Sequence, residues 1–358
     1  MKVAITVLSA GLALTVPPKA LGYQEAGHFY TVRVVTYLIG KDLMSDSDAR
    51  LVSFCAQLPD QSEDLDAVVV YKNLMKKDST GWLKWAVGDD VDSEWTKRML
   101  TVQQLLHGLT GGEASALQAV AGNVLGKLYA RLPGKNDPSR PAGLCALGFG
   151  FHLYGDAFAH QMMGEAGNDP DEMYPTGRGH AADLHYPDLP LCSQYAKPPR
   201  VFKHCDAAPD GRFGRWAEHW ARVGQYLRRK EGGVELDPAA HKKIVDDVFK
   251  LASKAADSNS WEEADMGKAL AQPLGYDYAM EKFLKAHQSD EPCEDVLKSV
   301  IDGGLLKGVA GFPCRAGWDV FYNASRAEFG RAGNEKARNP LRKGISPDSA
   351  YLANPLLK

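Results

Sequence analysis

The stretch His152-Leu-Tyr-Gly-Asp156-Ala-Phe-Ala-His160 constrains this chain more than any other. Metal-capable side chains recur there at every fourth position, slightly more than one helical turn. On a helix all three therefore project from roughly one face, and a single helix can present ligands to more than one ion. Ser139 and Pro141 predict the helix start, Leu144, Leu147, Phe149 and Phe151 its apolar packing, and Gly164 after Met162-Met163 its stop. A carboxylate on so apolar a helix is costly to bury without a partner, so the pattern predicts positive charge over Asp156.

The compartment is read from the first residues. Met1-Lys2 is a minimal positive segment, Val3 to Val16 is apolar and uncharged, and Pro17 to Gly22 ends in small residues suited to cleavage. This predicts a secretory signal over residues 1–22, removed after Gly22. The apolar run is too short for a bilayer, which needs about 20 residues, and no other stretch of the sequence qualifies. The expected product is exported, secreted or periplasmic, with no membrane span. The six cysteines fit an oxidising compartment. Cys192 with Cys205 and Cys293 with Cys314 are natural local pairs, which leaves Cys55 and Cys145 either bonded to each other or buried as thiols.

Helical periodicity dominates the remainder. Val32, Val35, Leu38 and Ile39 form one stripe, and Leu51, Val52, Phe54 and Cys55 another, with Ser45-Asp-Ser-Asp48 as a cap between them. Residues 66–95 hold Gly81, Gly88 and the acidic run Asp89-Asp90-Val91-Asp92, and predict a loop or short hairpin. Helices are expected over 94–109, with His107 near the end, and over 113–132. Residues 165–213, rich in Pro, Gly, Asp and His, predict a long functional loop. Further helices are expected over 213–230, 238–254, 261–270, 277–287, 295–306 and 317–330. No repeat, linker or run of alternating strands is evident. The reading is an all-α single domain over residues 23–330 and a basic, poorly ordered tail over 331–358. A net charge of -3 and a pI near 6.4 give no global reason to coat nucleic acid or an anionic membrane.

His28, His107, His152, His160 and His180 lie beside Gly, Asp or another His in the first half, and several helices each carry such a residue at an end or on an apolar face. Mixed with carboxylates, imidazoles suit zinc at three or four ligands per ion. Asp60 follows Pro59 at a helix end, a routine turn position. Around His180 the segment Gly177-Arg-Gly-His180-Ala-Ala-Asp183-Leu-His185-Tyr-Pro-Asp188 offers further ligands, or a polar loop solvated by its own charges.

Cleavage after Gly22 would make the mature chain begin Tyr23-Gln-Glu-Ala-Gly27-His28. An N-terminal aromatic residue, then Gly-His, then the order His28, Asp60, His107, His152, Asp156, His160, His180 resembles the zinc-dependent phospholipase C and single-strand nuclease superfamily. The resemblance covers residues 23–190. It implies a compact all-α bundle with a long ligand-bearing loop and up to three zinc ions. Asp60, His107, His152 and Asp156 would hold one ion. The amine and carbonyl of Tyr23, with His28 and a bridging Asp156, would hold the second, and His160, His180 and a carboxylate the third. The chain departs from the family at three places. Tyr23 stands where Trp is usual, His160 follows Asp156 by a shorter step, and Leu184 occupies the usual carboxylate position, so that Asp183 or Asp188 must substitute.

The chemistry so implied is phosphodiester hydrolysis. A carboxylate can bridge two cations about 3.5–4 Å apart and so make hydroxide available near neutral pH, and Asp60 could also accept the proton of the attacking water. Phospholipase C-like activity is expected, with a nuclease as the alternative. Trp82, Leu83, Trp85 and Val87 would give an apolar rim for a lipid head group, whereas Tyr174, Arg178, Tyr186 and Tyr195 would give stacking and basic contacts for nucleic acid. Two other classes remain open, a zinc-stabilised interaction protein with closed coordination and a helical secreted protein without metal.

Overall fold

The computed structural model describes residues 28–29, 32–33, 36, 44–77, 99–162, 172–174, 239, 242–243, 246, 292–302 and 314–331. Among these the architecture is helical, with extended backbone confined to short bridges. The expected signal segment 1–22, Tyr23, the rim residues of 78–98, the loop residues 175–213, Cys192, Cys205, and the tail beyond 331 lie outside the described residues, as do the helices expected over 213–230, 261–270 and 277–287.

Helix α1 (Asp46–Gln57) starts as the sequence predicts. Ser45 is its N-cap, and its hydroxyl accepts from Asp48 N at 3.1 Å. Leu51, Val52, Phe54 and Cys55 are buried, as their stripe requires. Pro59 then tightens the chain into a 3₁₀ turn (Leu58–Gln61) that carries Asp60. Helix α2 (Ala67–Lys77) corrects the expectation of a loop or hairpin after residue 66. The β-branched run Val68-Val69-Val70 reads locally as strand. Asp66, however, caps the helix by accepting from Val68 N at 2.7 Å and Val69 N at 2.8 Å, and Val70 and Leu74 pack inward one turn apart.

A π-helix (Met99–Leu106) leads to His107, and α3 (Ala114–Ala130) follows. Helix α4 (Arg140–Ala159) carries the predicted ligands and is buried along nearly its whole length. It ends four residues earlier than the sequence suggests. His160 is its C-cap, still bonded through its N–H to Asp156 O at 2.8 Å, but the chain beyond turns away to pair with another segment. Met162 N donates to Glu172 O at 2.8 Å, and Tyr174 N donates to His160 O at 2.9 Å. That pairing competes for the last turn and wins before Gly164 is reached. Helices α5 (Cys293–Asp302) and α6 (Cys314–Arg331) complete the described fold.

Helix α4 is the centre, flanked by α1, α3 and α6. It runs parallel to α1, since Asp48 meets Arg140, Cys55 is disulfide-bonded to Cys145, and Ala56 meets His152. The Cys55–Cys145 bond settles the choice that the sequence left open, and Cys293–Cys314 forms as expected. Phe149 of α4 meets Trp318 and Phe321 of α6 edge to face. Helix α6 is held at its start by Glu294, whose carboxylate accepts from Cys314 N at 2.7 Å and Arg315 N at 2.9 Å.

Helices α1 and α4 approach closely at Gly148. A β-carbon there would lie 2.6 Å from Cys55 Cβ, 2.6 Å from Val52 O and 2.8 Å from Ala56 N. Backbone cannot yield as a flexible side chain would, so Gly148→Ala must push α1 and α4 apart. We expect a loss of about 1–3 kcal/mol or more, read as a lower thermal midpoint. Gly126→Ala in α3, which meets nothing within 4 Å, should instead gain about 0.5–1 kcal/mol. Equal effects of the two substitutions would contradict the packing described.

Candidate metal centre

The sequence scatters His28, Asp60, His107, His152, Asp156 and His160 over 133 positions, and the fold gathers all six in one buried cluster. None exposes more than 3% of its surface, and they arrive from several separate segments. His152 and Asp156 lie one turn apart on α4, and His160 sits at its cap. Asp60 is delivered by the 3₁₀ turn after α1. His107 follows the π-helix, and His28 is on a helical segment before α1. Gly108 allows His107 to come this close. Its φ of 61° is left-handed, and a β-carbon there would lie 3.1 Å from Leu117 Cδ2 and 3.6 Å from Ala157 N of α4.

Hydrogen bonds to backbone carbonyls fix the ring tautomers. His152 Nδ1 donates to Ala56 O at 2.8 Å, which leaves its Nε2 as the lone-pair nitrogen. His107 Nε2 donates to Leu65 O at 2.9 Å, which leaves Nδ1. His160 Nδ1 donates to His107 O at 2.7 Å, which leaves Nε2. The two lone-pair nitrogens His107 Nδ1 and His152 Nε2 face each other at 3.0 Å, and each is 3.1 Å from Asp156 Oδ2. Three acceptors converging in a dry interior repel one another unless a cation sits among them. The spacing fits a small ion, because a tetrahedron with bonds of about 2.0–2.1 Å has edges of about 3.3 Å.

Asp60 closes the figure. Its Oδ1 is 3.8 Å from His107 Nδ1 and 3.7 Å from His152 Nε2, and its Oδ2 is 3.8 Å from His28 Nε2. His28 Nε2 in turn is 3.2 Å from Asp156 Oδ1. Two overlapping groups, His28 with His152 and Asp156, and Asp60 with His107 and His152, bring ligand atoms within 4.8 Å of one another and could each hold a metal ion.

The proton energetics agree. Burial, reinforced by His28 and His107 and only partly opposed by Asp156, pushes His152 down to about 3, so this ring is neutral in any ordinary medium. Burial also lowers His107, but the hydrogen bond and charge of Asp156, with the Leu65 carbonyl and Asp66, outweigh it and raise the ring above its usual range. Burial raises Asp156, yet the neighbouring imidazoles outweigh this and hold its carboxyl well below the carboxylate range. With His152 neutral, the charge that keeps Asp156 ionised comes from the other imidazoles, His160 and His107, or from a bound cation.

Of the other predicted ligands, Tyr23, His180, Asp183, His185 and Asp188 lie outside the described residues, as do Arg178, Tyr186 and Tyr195. Tyr174, expected as a stacking platform, is buried at 3% exposure. Its N–H is bonded to the carbonyl of His160, and its own carbonyl accepts from Gly111 N at 3.1 Å. The sequence reading did not name the carbonyls of Ala56, Leu65 and His107. Every residue has a carbonyl, and no side-chain pattern marks the ones that orient a ligand.

Comparison with known proteins finds no match, since no family model fits the chain and no curated protein or solved structure is recognisably similar. The chemistry therefore rests on the cluster itself.

Ligand nitrogens must be deprotonated to bind a metal. Because His107 is raised, zinc binding near neutral pH should expel protons, and affinity should fall as pH drops from about 8 to about 6. Calorimetric titration in two buffers of different ionisation enthalpy measures the release. Identical heats in both buffers would contradict the protonated cluster.

Proposed function

We propose that this chain is an exported zinc-dependent phosphodiester hydrolase of the phospholipase C type, with single-stranded nucleic acid as the alternative substrate. The observation that carries the reading is the convergence of tautomer-locked imidazoles and buried carboxylates on shared cation positions. Carboxylates and imidazoles without thiolate are the donor set expected of hydrolytic zinc. Disulfides in the described fold, and the lack of any described helix long and apolar enough to cross a membrane, are compatible with export.

Bound zinc would supply Lewis acidity to the phosphoryl oxygens and a water of lowered pKa. The chain's own contribution is placement. Ala56 and Leu65 hold the imidazoles of His152 and His107 in orientation, and the fully buried Asp156 stays anionic between them. Backbone pairing of Tyr174 with His160 ties the chain beside the cluster, and six further residues, reaching about 20 Å at most when extended, lead to His180. That tether favours the implied third group of His160, His180 and a carboxylate at Asp183 or Asp188.

A second reading is a non-catalytic protein stabilised by zinc. The nearly complete burial of the ligands supports it, because a closed structural ion needs no access to substrate. Turnover separates the two. The purified mature protein should contain zinc and hydrolyse a chromogenic phosphodiester, chelation should abolish hydrolysis, and zinc should restore it. His152→Ala should lower turnover about 100-fold or more. Zinc without any phosphodiester turnover would favour the structural ion, and activity indifferent to chelation would exclude the metal mechanism.

A further inference from the structure

The two candidate groups both claim His152, and that ring cannot serve both. Its Nδ1 is committed to the carbonyl of Ala56, so only Nε2 is available, and one lone pair binds one ion. Distance decides which ion. His152 Nε2 lies 3.0 Å from His107 Nδ1 and 3.1 Å from Asp156 Oδ2, so it belongs with those two atoms. The position near His28 is then left with Asp156 Oδ1 at 3.2 Å and needs another ligand.

Asp60 supplies it. Its two oxygens face different ways, Oδ1 toward His107 and His152 at 3.8 and 3.7 Å, and Oδ2 toward His28 at 3.8 Å. Asp156 divides its oxygens in the same manner, Oδ2 toward His107 and His152 and Oδ1 toward His28. We infer that Asp60 and Asp156 are a pair of bridging carboxylates, each giving one oxygen to an inner ion held by His107 and His152 and the other to an outer ion held by His28.

The two positions then differ in kind. The inner ion has four protein ligands, His107 Nδ1, His152 Nε2, Asp156 Oδ2 and Asp60 Oδ1, and five of their six separations run from 3.0 to 3.8 Å, on either side of the tetrahedral edge of about 3.3 Å. Such an ion is closed. The outer ion has three ligands here, His28 Nε2, Asp156 Oδ1 and Asp60 Oδ2, and keeps a position open for water, substrate or one more donor, as catalytic zinc does. Two carboxylates against two divalent ions leave the pair positive, which suits an anionic ligand. With both oxygens committed, Asp60 does not accept a proton from water, the role that the sequence suggests for it. The inference rests on the metal-holding part of the proposed function and stands whether or not a phosphodiester is the substrate.

Metal content separates a bridge from a terminal ligand. The purified mature chain, loaded with zinc and dialysed, is compared by elemental analysis with Asp60→Ala, Asp156→Ala and His28→Ala, each checked for helicity by circular dichroism. A bridging Asp60 predicts that Asp60→Ala loses two ions, as Asp156→Ala does, and that His28→Ala loses one. Loss of a single ion in a folded Asp60→Ala overturns the bridge. Should that variant fail to fold, the wild-type protein loaded with manganese(II) tests for the carboxylate-bridged pair by electron paramagnetic resonance. An exchange-coupled pair signal is expected, and the signal of isolated ions alone overturns the proposal. Neither readout requires turnover, so an inactive protein with a coupled pair would refute the hydrolase reading while leaving the bridge intact.

Discussion

The structure depends on a buried electrostatic conflict around Asp156 Oδ2. Two imidazole nitrogens, His107 Nδ1 and His152 Nε2, approach that oxygen at 3.1 Å with lone pairs forward, because their opposite nitrogens are tied to the carbonyls of Leu65 and Ala56. Without a cation this arrangement costs several kcal/mol of repulsion and desolvation. A proton on His107 or a divalent ion among the three atoms relieves it, and their 3.0–3.1 Å spacing is close to that of ligands around a small ion.

A conflict of this size survives only on a stiff frame. Helix α4 provides it by being enclosed on several sides, with α1 in backbone contact at Gly148, the Cys55–Cys145 bond one turn away, and the aromatic residues of α6 behind Phe149. Asp48 and Arg140 pin the entry to α4 at 2.8 Å, and the residue after Cys55 is Ala56, whose carbonyl orients His152. The segment from Ala56 to Asp66 therefore does several jobs in sequence. It orients His152, delivers Asp60, anchors α5 through the 3.0 Å bond from Cys293 N to Asp64 Oδ1, orients His107 through Leu65, and caps α2 with Asp66. A shift in this segment would misplace both carboxylate and imidazole ligands together, which links packing directly to metal affinity.

Much of this was legible beforehand, for identifiable reasons. The fourfold spacing of His152, Asp156 and His160 marks a ligand-bearing helix because side-chain direction follows helical period, and the Ser45 cap and the stripe Leu51 to Cys55 define α1 by the same logic. Six of the residues singled out in the sequence, His28, Asp60, His107, His152, Asp156 and His160, do meet in the dry core, where imidazole and carboxylate have few other reasons to gather. The failures have equally physical causes. The run of valines in α2 is locally strand-like, and only a tertiary context that buries Val70 and Leu74 makes it helical. The early end of α4 depends on pairing with residues 172–174, far along the chain. The way the two oxygens of Asp60 face different neighbours is a matter of side-chain rotation, about which residue order says nothing.

The central claim is that Asp156 and its neighbours hold a metal through nitrogen and oxygen alone. X-ray absorption at the zinc edge of the purified mature protein tests it most directly. Nitrogen and oxygen neighbours at about 2.0–2.1 Å are expected, with the outer scattering of imidazole. A shell containing sulfur at about 2.3 Å, or a protein that retains no metal, would contradict it.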